Sequence, residues 1–239
     1  MGKLEGKSIL ITGASRGIGL AIARTLDSEG AKLILVARNR GPLARAAAQI
    51  PGTVMSMPVD VTKPGDVRRL IAAVQKQVHR LDVLINNAGV FTYKPFAKTT
   101  LEDWKSNLET NLTSIFLITQ AALPLLKRSQ GDVLNILSIS SRVAFANCSA
   151  YTAAKFGALG LTGVLRRELR AEGIRVTAVL PGMTETRMKN EFDFPVPGEN
   201  LLQPEDVAAA VLSALVQPRR AMVGEILLVP SGGSIGGDN

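Results

Sequence analysis

Short apolar runs recur along this chain and alternate with longer stretches in which apolar positions return every third or fourth residue. The runs fall at 8–12, 32–37, 53–57, 82–86, 132–138, 174–180 and 225–229, and they are continuous rather than alternating in polarity. Continuous apolar runs of this length predict strands of a parallel sheet covered on both faces. The periodic stretches at 17–29, 41–49, 65–79, 101–128, 150–172 and 204–216 predict amphipathic helices. Strict alternation of the two predicts a doubly wound α/β fold, with about seven parallel strands and right-handed crossovers that put helices on both faces.

No repeat, low-complexity tract or linker interrupts the pattern, and one core can serve a chain of 239 residues, so 1–239 is expected to be a single domain. The interval 187–203 breaks the regularity. It carries Pro195, Pro197 and Gly198 and is long for a connection between a strand and a helix, which predicts a lid over a substrate.

Composition narrows the chemistry. A hydrophobic content of 46% with 20% charged residues is ordinary for a soluble enzyme. No apolar run approaches the ~20 residues that span a bilayer, and the N-terminal residues show no secretory signal, so a cytoplasmic protein without a membrane partner is expected. Cys148 is the only cysteine and His79 the only histidine, which excludes an internal disulfide and argues against a His/Cys metal cluster or a histidine-based triad. The net charge of +8 raises nucleic acid as a partner. The basic residues, however, are scattered over helical stretches without a basic tail or interleaved aromatics, which reads as solvated helix faces plus a site for an anionic ligand.

The anion site is placed by Thr12-Gly13-Ala14-Ser15-Arg16-Gly17-Ile18-Gly19, which lies between the first strand and the first helix. A glycine turn there gathers backbone N–H groups and the positive end of a helix dipole at one point, as a Rossmann-type pyrophosphate site requires. The second strand ends Ala37-Arg38, with no carboxylate to accept from a ribose 2′-hydroxyl. Arg38, with Arg16 from the turn, suits a 2′-phosphate, so NADP(H) is the expected cofactor. Asp60-Val61 falls where an adenine would lie, with Asp60 either accepting from its amino group or capping the next helix through Thr62. Asn86-Asn87-Ala88-Gly89 closes the fourth strand, where small residues let the chain pass close to the cofactor and an Asn can brace the central sheet.

Tyr151 and Lys155 are four apart and therefore one turn apart on one helix face. A cation about 4 Å from a phenol contributes on the order of 4 kcal/mol at an effective dielectric near 20, enough in principle to bring the phenol from about 10 toward neutrality before desolvation is counted. Ser138, at the end of the preceding strand, can bond the same substrate oxygen, with Ser140 and Ser141 as near competitors. Asn111, or less favourably Asn107, is a polar residue in a helix of apolar periodicity and can hold a water linking Lys155 to solvent. Cys148, three before Tyr151, either lines the pocket or is a packed thiol.

Together these motifs and Pro181-Gly182 resemble the short-chain dehydrogenase/reductase family over nearly the whole chain. The resemblance implies Ser138 polarising a carbonyl, Tyr151 as acid/base, Lys155 lowering its pKa and binding nicotinamide ribose, and Asn111 completing a proton relay. It implies Gly13, Ser15, Arg16, Gly17, Ile18, Gly19, Arg38, Asp60, Val61, Asn87, Ala88 and Gly89 along the cofactor, with Pro181, Gly182, Thr184 and Thr186 against the nicotinamide. It further implies pairing of the two long helices into a homodimer or homotetramer. Carbonyl reductases and 3-oxoacyl-acyl-carrier-protein reductases are the nearest groups. The carrier-protein enzymes generally dock their acidic partner through arginines at two positions that hold Ser129 and Glu172 here. The expected substrate is therefore a small ketone or aldehyde, with an acyl-carrier thioester as the alternative and a non-enzymatic NADP(H)-binding or nucleic-acid-associated protein as a remote one.

Overall fold

The computed structural model describes residues 2–186 and 201–231. Seven strands, β1 (Ser8–Thr12), β2 (Lys32–Ala37), β3 (Thr53–Pro58), β4 (Val83–Asn86), β5 (Asp132–Ile136), β6 (Arg175–Pro181) and β7 (Glu225–Leu228), form one sheet in the order β3-β2-β1-β4-β5-β6-β7. Every pairing is parallel. The inner strands are buried almost throughout, as their continuous apolar runs predict, whereas the edge strands β3 and β7 keep partly exposed positions because each has a neighbour on one side only.

Helices α1 (Gly17–Ser28), α2 (Arg40–Ala47) and α7 (Pro204–Leu215) cover one face of the sheet, and α3 (Pro64–Gln77), α5 (Ser114–Ser129) and α6 (Ser149–Glu168) the other, with α4 (Leu101–Leu108) packed against α6. Alternate residues of one strand serve the two layers. Ile9 and Ile11 of β1 pack with Ile22 and Leu26 of α1 and Val207 and Val211 of α7, while Leu10 packs with Leu70 and Val74 of α3 and Ile118 and Ala122 of α5. Full burial of each such side chain contributes about 1.5–3 kcal/mol.

Two helices differ from the sequence pattern. The stretch 101–128 is not one helix: a π turn at Glu109–Thr113 separates α4 from α5. Apolar periodicity cannot register one widened turn, which here sits where the Asn111 amide bonds across to another segment. The stretch 150–172 is α6 followed by a 3-10 turn at Leu169–Glu172. The proposed lid falls largely on 187–200, outside the described residues; its flanks are joined by a parallel bridge between Thr184 and Leu202.

The strand order reverses at β1, whose neighbours β2 and β4 lead to crossovers on opposite faces. A crevice therefore opens at the C-terminal ends of β1 and β4, the general ligand position in such sheets.

Candidate functional site

Thr12 fastens the glycine turn to the end of β4. Its Oγ1 accepts from the backbone N–H of Asn87 at 2.9 Å and of Ala88 at 3.0 Å, and Asn87 Nδ2 donates back to Thr12 O at 2.9 Å. Gly13 takes a left-handed φ of 67°, which glycine adopts without strain. A Cβ on Gly19 would run into the Gly13 carbonyl oxygen and Asn87 Nδ2. Arg16 is the N-cap of α1 and its side chain makes no capping bond, so the first-turn N–H groups carry their partial positive charge toward the cleft.

That cleft has a volume of ≈ 480 Å³. Its walls bring together Gly13, Ser15, Arg16, Gly17, Ile18 and Gly19 with Arg38, with Asp60 and Val61, with Asn87, Ala88 and Gly89, and with Asn111, Tyr151, Lys155 and Thr186. Ser138 does not line it. Nor do Pro181, Gly182 and Thr184. They sit at the end of β6, where Gly182 N donates to Leu228 O at 2.7 Å and Thr184 Oγ1 to Gly182 O at 3.0 Å. Among the described residues neither Arg16 nor Arg38 is held in an ion pair. Lys63 is a third cation of this end that the sequence reading did not single out.

Asp60 does not cap α3, whose N-cap is Lys63. It accepts from Thr62 N at 3.0 Å and Thr62 Oγ1 at 2.7 Å in a local turn. Partial burial raises its carboxyl, but the bonds from Thr62 and the charges of Lys63 and Arg38 prevail and hold it below the usual carboxylate range.

At the other end of the cleft, Tyr151 and Lys155 project from the first two turns of α6, both buried. Ser138 is the serine whose side chain acts on the phenol, holding its rise in check, which distinguishes it from Ser140 and Ser141; these are buried in the 3-10 turn Ile139–Ser141, and Ser140 N donates to Ser138 Oγ at 3.1 Å. Lys155 Nζ donates to Ile136 O at 3.2 Å and lies 5.6 Å from the centre of the Tyr151 ring. Burial pushes the phenol up to about 12; the bond to Ser138 opposes this and nearby Cys148 adds to it. Burial pulls the Lys155 ammonium down to about 8. In the ligand-free cleft burial is the leading influence on the phenol, and the Lys155 ammonium is not among the groups that shift it. Cys148 is buried, and burial raises its thiol to about 11, the behaviour of a packed thiol.

Asn111, not Asn107, faces the cleft. Its Oδ1 accepts from Val90 N at 3.1 Å and its Nδ2 donates to Val90 O at 2.9 Å, so its amide holds the chain after β4. Gly89 leaves room for it: a Cβ there would lie 3.0 Å from Asn111 Oδ1. Behind the cleft Asn86 Nδ2 donates to Asn135 Oδ1 at 2.8 Å, and Asn135 Nδ2 to Thr162 Oγ1 at 2.8 Å, a buried polar chain that braces the central strands.

Comparison with known proteins agrees with this geometry. The sequence profile described as short chain dehydrogenase matches residues 7–194. An uncharacterized oxidoreductase of Staphylococcus aureus strain MRSA252 is 36% identical over 229 residues, covering 95% of this chain and 98% of its own. Another, from Staphylococcus saprophyticus, is 32% identical and covers 96% and 100%. Among solved structures, an alcohol dehydrogenase from the archaeon Thermococcus sibiricus complexed with 5-hydroxy-NADP superposes with a TM-score of 0.89 at 29% identity, covering 96% of this chain and 99% of that one. A metagenomic short-chain oxidoreductase in complex with NADP gives 0.84 at 30% identity, with 97% and 100% covered.

Proposed function

The chain belongs to the short chain dehydrogenase family of oxidoreductases, and from that premise we propose that it reduces the carbonyl of a small ketone or aldehyde with NADPH. The observation that carries the reading is the meeting of Tyr151 and Lys155, with Ser138 beside the phenol, at one end of a cleft whose other end is a glycine turn flanked by arginines.

The residues present fit NADP(H). Gly13 and Gly19 leave no space for a Cβ in the turn, the α1 N-terminus has no side-chain cap, and Arg16, Arg38 and Lys63 gather with no carboxylate at the end of β2. Such a set holds a pyrophosphate on backbone N–H groups and a 2′-phosphate on guanidinium forks, while the Asp60 carboxylate accepts from an adenine amino group. Two solved relatives carry NADP or a derivative. When bound, NADPH supplies the hydride.

The protein's own residues then handle the oxygen and the proton. Ser138 Oγ and the Tyr151 hydroxyl both bond the carbonyl oxygen, and Tyr151 donates its proton as negative charge develops there. A phenol held at about 12 is protonated throughout the neutral range, as a donor must be. Lys155, on the same helix face, stabilises the phenolate left behind and binds ribose hydroxyls. The Asn111 side chain is committed to Val90, so it acts in the cleft by holding the chain that follows β4. Exposed Phe116 on α5 with Phe156 and Val164 on α6 supports pairing of subunits into a homodimer or homotetramer.

The carrier-thioester alternative is weakened by one contact. Glu172, at one of the two positions where carrier-protein enzymes have arginine, pairs with nearby Lys127 at 2.6 Å, which leaves Arg128, Arg167 and Arg170 as the exposed cations of this region.

The reading is tested by following NADPH absorbance with a panel of ketones, aldehydes and acyl thioesters. We expect turnover on the simple carbonyls and a loss of about 10²–10⁴ in kcat for Tyr151→Phe. Undiminished turnover by that variant would overturn the mechanism, and a strong preference for thioesters would overturn the substrate.

A further inference from the structure

The segment 90–94, which follows β4, has two faces, and each is tied to a different helix. Its even residues meet α4 and the π turn at three positions four residues apart. Val90 bonds Asn111 through both its N–H and its carbonyl. Thr92 Oγ1 accepts from Asn107 Nδ2 at 2.8 Å. Lys94 Nζ pairs with Asp103 at 2.7 Å. An extended segment repeats on one face every second residue and a helix nearly every fourth, so three such contacts fix the register of one against the other. Both ends are anchored: Asn111 Nδ2 also donates to Asn107 Oδ1 at 3.3 Å, and Asp103 closes a capping box with Thr100.

The odd residues point to the start of α6. The Phe91 ring meets the Tyr151 ring edge-on, with centroids 4.5 Å apart and planes at 88°. Tyr93 Oη accepts from Asn147 Nδ2 at 3.1 Å, and Lys94 N donates to Asn147 O at 2.8 Å. Asn147 holds a left-handed φ of 63°, uncommon outside glycine, one residue before the N-cap of α6.

We propose that residues 90–94 form a spacer that sets the phenol of Tyr151: Phe91 is a positioning residue for Tyr151, and Asn107, through Thr92, is the contact that keeps Phe91 in register. The proposal rests on the proton-donor role given to Tyr151 above. A phenol ring has one soft torsion after χ1, and an edge contact at the ring removes it. Ser138 acts on the hydroxyl from the end of β5, and Lys155 and Cys148 are the titratable groups that face the phenol from α6 and the turn before it. The 90–94 side brings no charge there, because Lys94 is turned to Asp103. It contributes apolar burial, the leading cause of the raised phenol.

The test has two arms. In steady-state kinetics with NADPH and the best carbonyl of the panel, Phe91→Leu and Thr92→Val are expected to lower kcat by about ten- to a hundredfold, with KM and NADPH affinity unchanged. Phe91→Tyr keeps the ring and Thr92→Ser keeps the hydroxyl, so each is expected to restore most of the rate. In the ligand-free protein, carbon-13-labelled tyrosine gives two signals, Tyr93 and Tyr151, assigned with Tyr151→Phe. The Tyr151 signal is expected to stay protonated to about pH 11 in the parent chain and to titrate about one pH unit lower in Phe91→Leu as water reaches the ring. A titration identical to the parent overturns the proposal whatever the rates, and so does an unchanged kcat in an active enzyme. Should the parent chain reduce nothing while Phe91→Leu still moves the titration, the proposed reaction fails and the placement of the phenol by Phe91 stands.

Discussion

The Lys155 ammonium lies 5.6 Å from the centre of the Tyr151 ring, and both groups are buried, with no neutralising carboxylate beside them among the described residues. The pair is suited to function at the expense of the fold. The Lys155 ammonium sits near 8 in the folded protein and near 10.5 when exposed, so between those values the unfolded chain binds more protons and stability rises with pH. Below about 8 the full cost of the buried ammonium remains. The Tyr151 phenol, raised from 10 to about 12, adds stability that is complete below pH 10 and is lost as pH climbs through 12.

Lys155→Met is therefore expected to stabilise the ligand-free protein at pH 7 by about 2 kcal/mol, the relief of the buried charge less the lost bond to Ile136 O. The gain should shrink as pH approaches 10.5, while reductase turnover falls at every pH. Urea unfolding at pH 7 and pH 10 measures it. Equal stabilisation at both values would mean that the ammonium is solvated.

The two arginines of the cleft make a second, independent expectation. Arg38→Asp removes a charge-assisted fork and sets a carboxylate against a 2′-phosphate, a change of about 3–4 kcal/mol between the two cofactors. The preference for NADPH over NADH, as a ratio of kcat/KM, should fall by about 10²–10³. Arg16→Gln, which removes one contact and adds no repulsion, should cost about tenfold.

These expectations start from features that local sequence already carries. The glycine turn, the Tyr151–Lys155 spacing and the position of Ser138 are short-range patterns, and the alternation of apolar runs with periodic stretches gave the sheet and its two helical layers. What stayed hidden is long-range. Thr12 and Asn87 are 75 residues apart, and no periodicity reveals that one hydroxyl holds two N–H groups of the β4 turn. The ladder from 90–94 to Asn111, Asn107 and Asp103 depends on a π turn that apolar spacing cannot register. Lys63 carries no local signal, because a lysine just before a helix reads as an ordinary solvated charge until the fold turns it to the cleft. For the Tyr151 phenol, spacing reveals the neighbouring cation but not the burial, which is the leading influence on it in the fold.

Lys127 and Glu172 supply a prediction about partners. With Lys127 paired at 2.6 Å and Glu172 in place of an arginine, an acidic carrier has only Arg128, Arg167 and Arg170 to meet here, and we expect them to be too few for a productive docking site. A carrier-bound thioester should be reduced no faster than the same acyl group on a small thiol. Its kcat/KM should change less than about threefold between low and physiological ionic strength, since steering of a charged partner is strongly salt-dependent. A steep loss of rate with salt would restore the carrier protein as a partner.

At the opposite end of the sheet from the cleft, Arg175 and Asp132 open β6 and β5 side by side and form a nearly buried ion pair. Arg175 Nε reaches Asp132 Oδ1 at 2.5 Å and its second nitrogen Oδ2 at 3.0 Å. The same guanidinium donates to the carbonyls of Gln217, Ala221 and Leu215, tying the end of α7 to the two strands. Arg219 leans on Asp132 from outside at 3.1 Å. Asp132→Asn would leave two guanidinium groups facing no charge, one of them out of water, and removal of one partner from a buried pair costs about 3–5 kcal/mol. The outer arginine and the carbonyl bonds soften this, so a loss of about 3 kcal/mol in urea unfolding is expected. NADPH affinity should not change at a temperature where the variant is folded, because the pair stands at the N-terminal ends of the strands and the cleft at their C-terminal ends. A loss below about 1 kcal/mol would show that the carbonyl cage alone holds Arg175.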